Sequence, residues 1–297
     1  MKPKTVPPSK VSAQSISATH SPADTRLGEL LQHDGTLTEQ DVRDIMAAQR
    51  LAGERFGEVA SRLGLVEEQE VQHALARQAE FPLAVPGEST LSPELITAYQ
   101  PASARAEELR TLRSELGLRW FGKGHRALAI IESRPGDGGG ALAANLAVAF
   151  AQLGERTLLI DGNLRAPSQQ ELFGLTSDVG LAEFIRGRET LESATVKVPG
   201  FSCLSVMFSG ALPPNPQELL GHVSFSYLME TVTVKFGVVI VATPPMLQCA
   251  DAQLICARTG GAVLATRRHD TKLADVVRIK SLLAAAGVTL LGAVVDG

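Results

Sequence analysis

The chain has 297 residues and a formal net charge of −4, and it is 44% hydrophobic and 20% charged. That length holds two domains, one with a full core, while the acidic balance and the 4% of aromatic residues exclude a general nucleic-acid binder with a base-stacking face. No apolar run reaches the ~20 residues of a membrane span, and the lysines of MKPKTVPPSKVSAQ are followed by no apolar stretch, so neither membrane insertion nor a signal peptide is expected.

Residues 1–24, rich in Pro, Ser and Lys, are expected to be a disordered tail. A repeat then begins. RLGELLQHDGTLTEQDVRDIMAAQ (26–49) aligns without gaps on RFGEVASRLGLVEEQEVQHALARQ (55–78), with RLAGE between. Arg26 matches Arg55, Gly28 matches Gly57, Gly35 matches Gly64, and Gln49 matches Gln78. In each unit a short apolar helix meets a glycine, where a left-handed turn is easiest. A capping pattern then opens a second helix. The expectation is a small all-helical domain over 25–80, built of two helical hairpins. Residues 81–103 hold several prolines and read as a linker.

A charged helix is expected over 104–121, and strands alternate with helices from there to the end. The strands fall at 127–133, 156–162, 202–208, 237–243, 261–267 and 289–295. The helices fall at 141–153, 180–187, 216–235, 250–258 and 271–286. This alternation predicts an α/β domain over 104–297 with a doubly wound, mostly parallel sheet. Runs such as VVIV are apolar without alternation, as strands covered on both faces should be. Cys203, Cys249 and Cys256 are sparse, odd in number and without metal-ligand company, which fits reduced cytoplasmic thiols acting as small core residues.

SRPGDGGGA (133–141) lies between the strand ALAIIE and the helix ALAANLAVAFAQLG. Strand, glycine loop and helix form the layout of a phosphate cradle. Further marks follow: LLIDGNLRAPS (158–168), ELFGL (171–175), PPNPQELL (213–220), VVIVATPP (238–245) and ADA (250–252). Together these motifs resemble the bacterial tyrosine kinases of exopolysaccharide chain-length control. Those kinases belong to a deviant P-loop group that also holds partitioning and division-site ATPases. The resemblance covers about 100–297.

In that family the loop reads Pro-Gly-Glu-Gly-Lys-Ser-Thr. Here it runs Gly136, Asp137, Gly138, then Gly139 at the lysine, Gly140 at the Mg²⁺-binding hydroxyl and Ala141 at the second hydroxyl. The family's next motif, Asp-x-Asp-x-Arg, becomes Asp161, Asn163 and Arg165. A third family carboxylate, after four apolar residues, becomes Ala242. An ammonium, a hydroxyl and two carboxylates are missing from one pocket. Phosphoryl transfer rests on charge neutralisation and positioning, and Mg²⁺ needs hard oxygen ligands. The resemblance therefore implies a scaffold without catalytic residues or a metal, and Mg-ATP is not expected as a cofactor. The family also carries a tyrosine-rich tail, whereas this chain has only Tyr99 and Tyr227.

Glu107, Arg110 and Arg113 form Glu-x-x-Arg-x-x-Arg, which lies near one face of a helix and in the family packs subunits into a ring. A homo-oligomer is expected from it. The tandem repeat resembles the N-terminal domain of type II secretion and pilus ATPases in its cyclic di-GMP-binding form. That resemblance assigns a twofold ligand to Arg26, Leu27, Gly28, Leu31, Gly35 and Gln49 of one unit. In the other it assigns Arg55, Phe56, Gly57, Gly64 and Gln78. Arginines pair with phosphate or stack on guanine, and glycines permit close approach. The combined expectation is a catalytically silent, kinase-like regulator that senses cyclic di-GMP. It would work in the cytoplasm, peripheral to the inner membrane through a membrane chain-length determinant or polysaccharide co-polymerase. Two alternatives stand: an active tyrosine autokinase or ATPase, and a scaffold indifferent to nucleotides.

Overall fold

The structure, a computed structural model, describes residues 22–33, 35–52, 54–68, 70–71, 74–75 and 82–296. The expected disordered tail falls, over residues 1–21, outside the described residues. The chain divides into two compact units, Met1–Ala79 and Glu80–Gly297.

In the first unit the repeat is visible in the backbone. Helices α1 (Pro22–His33), α2 (Glu39–Ala52) and α3 (Phe56–Arg62) are followed by helical residues at Glu68, Glu70, Val71, Ala74 and Leu75. Gly35 and Gly64 end the first helix of each repeat at φ +77° and +68°. Corresponding N–H groups, of Thr36 and Leu65, bond back to the carbonyls of Leu31 and Ala60. The second helices start alike too. Asp41 accepts from the Thr38 N–H at 2.8 Å, and Glu70 accepts from the Glu67 N–H at 2.8 Å. Leu27, Leu31, Leu37, Ile45, Phe56, Val59, Ala60, Val66, Val71 and Ala74 form the core of this unit.

The second unit is the expected doubly wound sheet. Its strands are β1 (Ala127–Glu132), β2 (Thr157–Asp161), β3 (Val196–Lys197), β4 (Leu204–Met207), β5 (Val238–Ala242), β6 (Gly261–Arg267) and β7 (Thr289–Asp296). They lie in the order β3-β4-β2-β5-β1-β6-β7, with only the β3–β4 pair antiparallel. The central strands β2 and β5 are buried along their whole length, as their unbroken apolar runs require. Helices α4 (Ile96–Tyr99), α5 (Ala104–Arg119), α6 (Gly139–Gln152), α7 (Gln169–Phe173) and α8 (Leu181–Ile185) are followed by α9 (Pro216–Gly221), α10 (Val223–Lys235), α11 (Asp251–Thr259) and α12 (Leu273–Ala285). Two apolar clusters, one on each face of the sheet, make up the core.

Two expectations need correction. The helix expected over 216–235 is two helices. His222 is extended (φ −69°, ψ 148°), and its ring accepts the Ser224 N–H at the start of α10. Residues 81–103 are not a free linker from Pro82 onward. Ala84, Leu91, Leu95 and Ala98 are buried in the core of the α/β unit. The Thr97 hydroxyl donates to Asn145 Oδ1 at 2.6 Å, and the Gln152 amide donates to the carbonyls of Pro82 and Thr97. The prolines mask an apolar spacing that seals one side of α6. Residues 76–81, where the linker begins, are outside the described residues.

Candidate functional site

The glycine loop joins β1 to α6. Gly136 (φ +92°) and Gly138 (φ +87°) take left-handed conformations that favour glycine. Asp137 is buried and ties the loop to its surroundings. Its carboxylate accepts from the Ser133 hydroxyl and from the N–H of Ser133 and Arg134, and on its other oxygen from the Thr271 hydroxyl at 3.0 Å. Asp137 therefore shapes the cradle from within. Gly139, Gly140 and Ala141 open α6 and carry no side-chain polar group towards it.

Three neighbours fill the space that the missing groups would use. The half-buried Glu132, the last residue of β1, turns its carboxylate onto the first turn of α6 and accepts the Gly139 N–H at 3.0 Å. Burial raises the Glu132 pKa; hydrogen bonds from the Gly139 and Gly138 amides pull it down, and nearby Asp137 raises it. Beside Gly140, a Cβ would come within 2.7 Å of Ser168 Oγ and 3.4 Å of Gln169 Nε2. The place of a Mg²⁺-binding side chain on α6 is thus taken by the start of α7. Gln169 is fully buried and donates to the Gly140 carbonyl at 3.2 Å.

Asp161, at the end of β2, is fully buried and faces backbone rather than the cradle. It accepts from the N–H of Asn163 at 3.2 Å, and from Ser168 and Gln169 at 3.0 Å each. Burial pushes its carboxyl up to about 6 against these hydrogen bonds, which favour the charged form. Asn163 folds back onto the Arg165 and Ala166 N–H groups. Arg165 makes a two-point contact with the buried Asp251, at 2.8 and 3.1 Å. Ala242 is buried at the end of β5, where its carbonyl accepts the Gly162 N–H. A cavity of about 220 Å³ lies beside the loop, lined in part by Arg105, Asp137, Gly138, Ala141, Asn145 and Asp296. Arg105 is ion-paired with Asp296 on its wall. Ligand pockets usually enclose ~300–1,000 Å³.

These residues do not fit Mg-ATP. Position 139 carries no ammonium, a side chain at position 140 would meet Ser168, and the remaining motif carboxylate is bonded to three amides. Among the described residues no group of three His, Cys, Asp or Glu side chains is placed to hold a metal.

Sequence comparison decides the family. The chain is 34% identical over 209 residues to the tyrosine-protein kinase YwqD of Bacillus subtilis, spanning 70% of this chain and 88% of that protein. The chain belongs to the bacterial tyrosine-protein kinases. The kinase domain of the Escherichia coli tyrosine kinase ETK is similar with a TM-score of 0.66 at 30% identity, covering 68% of this chain and 79% of that one. The chimerical protein CapA2B2 is similar with a TM-score of 0.65 at 32% identity, covering 73% and 96%. No family model matches the chain. Within this kinase family's fold, the chain keeps the strand, glycine loop and helix layout of a phosphate cradle.

The other expected site residues are distributed as follows. Glu107 pairs with Arg110 along α5. Arg113, half-buried like Arg110, donates its guanidinium to the Ala149 carbonyl at 3.0 Å and so also fastens α5 to α6. Tyr99 is partly buried with its hydroxyl on the Leu91 carbonyl, and Tyr227 is exposed.

In the repeat unit, Leu27, Leu31 and Phe56 are buried in the core of the unit. A Cβ on Gly28 would lie 3.2 Å from the Phe56 ring, and one on Gly57 would lie 2.5 Å from Val71 Cγ1. A side chain at Gly57 would collide with Val71, and one at Gly28 would press on the Phe56 ring, so both positions are also set by helix packing. Gln49 is half-buried, and Arg55 is exposed at the start of α3. The Arg26 side chain and Gln78 lie outside the described residues. Glu132 and Gln169 were not expected at the site, although Glu132 is a charge ending an apolar strand next to the loop; Ser168 and Asp251 fell within the quoted motifs without being assigned a role.

Proposed function

We propose that this chain is a catalytically silent, tyrosine-kinase-like regulator of exopolysaccharide synthesis or export. It acts in the cytoplasm by docking on a membrane chain-length protein. The observation that carries the silence is Asp161, whose two oxygens serve three backbone amides of the loop into α7. No other carboxylate of the family motifs is present to place Mg²⁺. Purified full-length chain is expected to show no Mg-ATP hydrolysis and no phosphotyrosine. Turnover that Asp161→Asn abolishes would overturn the silence.

The regulatory input is proposed to be cyclic di-GMP, held at the repeat unit by Arg55 and its counterpart Arg26. The support is the twofold equivalence of the two halves and the exposure of Arg55 at a helix start. Arg55→Ala is expected to weaken binding roughly ten- to a hundredfold, the worth of one charge-assisted hydrogen bond. A second reading, a helical docking module without ligand, is favoured by the burial of Leu27, Leu31 and Phe56 and by the packing role of Gly28 and Gly57. Calorimetry on the full chain separates the two: heat with cyclic di-GMP supports the sensor, and a flat titration at tens of micromolar leaves the docking module.

A further inference from the structure

The N-terminus of α6 is not an open anion site. An oxygen of Glu132 sits on the Gly139 N–H at 3.0 Å. Glu132 Oε2, Cβ and Cγ lie 3.2, 3.3 and 3.4 Å from where a Gly139 Cβ would be. The side chain thus covers the first residue of α6 closely, and glycine there lets it do so. Helix α6 runs over 14 residues, long enough for its dipole and unpaired N–H groups to favour an anion at this end. The chain supplies that anion itself.

We propose that Glu132 acts as an internal anion that occupies the phosphate place of the cradle and excludes phosphate-bearing ligands. This rests on the reading of the pocket as silent and names the residue that closes it. Two effects act together. A phosphate must displace the carboxylate from its amides, and it must then sit within a few ångströms of a like charge if Glu132 stays nearby. Arg267 is the cation near Glu132, and Asp137 adds a second negative charge. Asp137 itself is engaged by Ser133, Arg134 and Thr271 and does not turn towards the α6 amides. Glu132 is therefore the group whose removal frees them.

The test uses the full chain and inorganic tripolyphosphate without metal, titrated by calorimetry at neutral pH. Glu132→Ala is expected to bind tripolyphosphate at least tenfold more tightly than the wild type. Glu132→Gln, which keeps the shape and loses the charge, is expected to lie between them. Glu230→Gln removes an exposed negative charge on α10 and is expected to behave as wild type. Glu132→Gln decides the matter where Glu132→Ala melts too low to be titrated. The proposal is overturned if wild type binds as tightly as the Glu132 variants, or if Glu230→Gln gains as much as Glu132→Gln. Neither outcome involves turnover, so a failure of the exclusion is distinct from a failure of the silence, which only ATP hydrolysis by the wild type reveals.

Discussion

Asp161→Ala is expected to destabilise the α/β unit, and the two opposing contributions can be set against each other. Without the carboxylate, the N–H groups of Asn163, Ser168 and Gln169 lose their acceptor in a buried place. A buried unsatisfied group costs about 1–3 kcal/mol, so these would cost about 3–9 kcal/mol together before the loop relaxes. Against this, the native carboxyl is raised from 3.8 to about 6. That shift is a penalty on the ionised form of about 3 kcal/mol at neutral pH, and the substitution removes it. With the first contribution near the middle of its range, the net loss is about 3 kcal/mol. For a unit of this size the melting midpoint falls by ~6–12 °C.

The pH dependence has a definite sign. A carboxyl whose folded pKa is raised binds its proton more tightly in the folded state. Its unfavourable contribution is absent below about pH 4 and complete above about pH 6. Wild-type stability from this group therefore declines as pH rises through that window, and Asp161→Asn should lack that part of the decline. Thermal unfolding of the full chain, followed by near-ultraviolet circular dichroism at pH 4 to 7, with and without Mg²⁺, measures both effects. An unchanged or raised midpoint in Asp161→Ala would refute the structural role. A Mg²⁺-dependent stabilisation present in wild type and missing from the variant would show that the carboxylate is a metal ligand after all.

Arg165→Ala leaves the fully buried Asp251 carboxylate without its two-point partner. The guanidinium is half exposed, so the expected loss is about 2 kcal/mol, below the full range for a buried pair; restoration by the added change Asp251→Asn, measured by denaturant unfolding, checks that the effect is electrostatic. Gly57→Ala places a methyl 2.5 Å from Val71 Cγ1. Overpacking there should cost about 1–3 kcal/mol and lower only the melting transition of the helical unit, and a stabilised variant would show that the helices sit farther apart. The pair Gly139→Lys with Gly140→Ser is expected to give no ATP turnover, because the new lysine meets the Glu132 carboxylate and the new serine meets Ser168 Oγ at 2.7 Å; detectable turnover would show that both neighbours yield.

Much of the fold was legible because buried parallel strands must be apolar on both faces. The runs at β1, β2 and β5 announce themselves without reference to partners, and so does the glycine that ends each repeat helix. The 81–103 segment misled for a physical reason. Prolines signal a break in regular structure, yet Leu91 and Leu95 are buried through irregular backbone and Ala98 in the single turn of α4. Burial of that kind has no period to detect. At His222 the sequence signal was Gly221, the last residue of α9, but the longer helical pattern overrode it; the ring's bond to the Ser224 N–H then opens α10. In the repeat unit the glycines were legible as necessary, but their partner was not. Val71 and Phe56 pack against them.

The site shows why missing residues are easier to read than replaced ones. The absence of lysine at Gly139 and of a hydroxyl at Gly140 is plain in the sequence. What fills the space arises elsewhere in the chain, at Glu132 and at Ser168. The substitutions nonetheless obey one electrostatic logic. A helix N-terminus favours a negative group whether or not a nucleotide is bound. With a lysine at position 139, an adjacent glutamate would neutralise the charge that phosphate requires. With glycine there, that conflict disappears, and the glutamate satisfies an amide that would otherwise await a ligand. Similarly, with an amide at position 163 and a methyl at 242, Asp161 is the one motif carboxylate of the three that remains, and both its oxygens accept from backbone amides. Lysine, hydroxyl and carboxylates are therefore not independent losses. On the proposed reading, removing the ammonium makes Glu132 tolerable and Glu132 in turn keeps phosphate out, so returning one family residue at a time is not expected to rebuild the site.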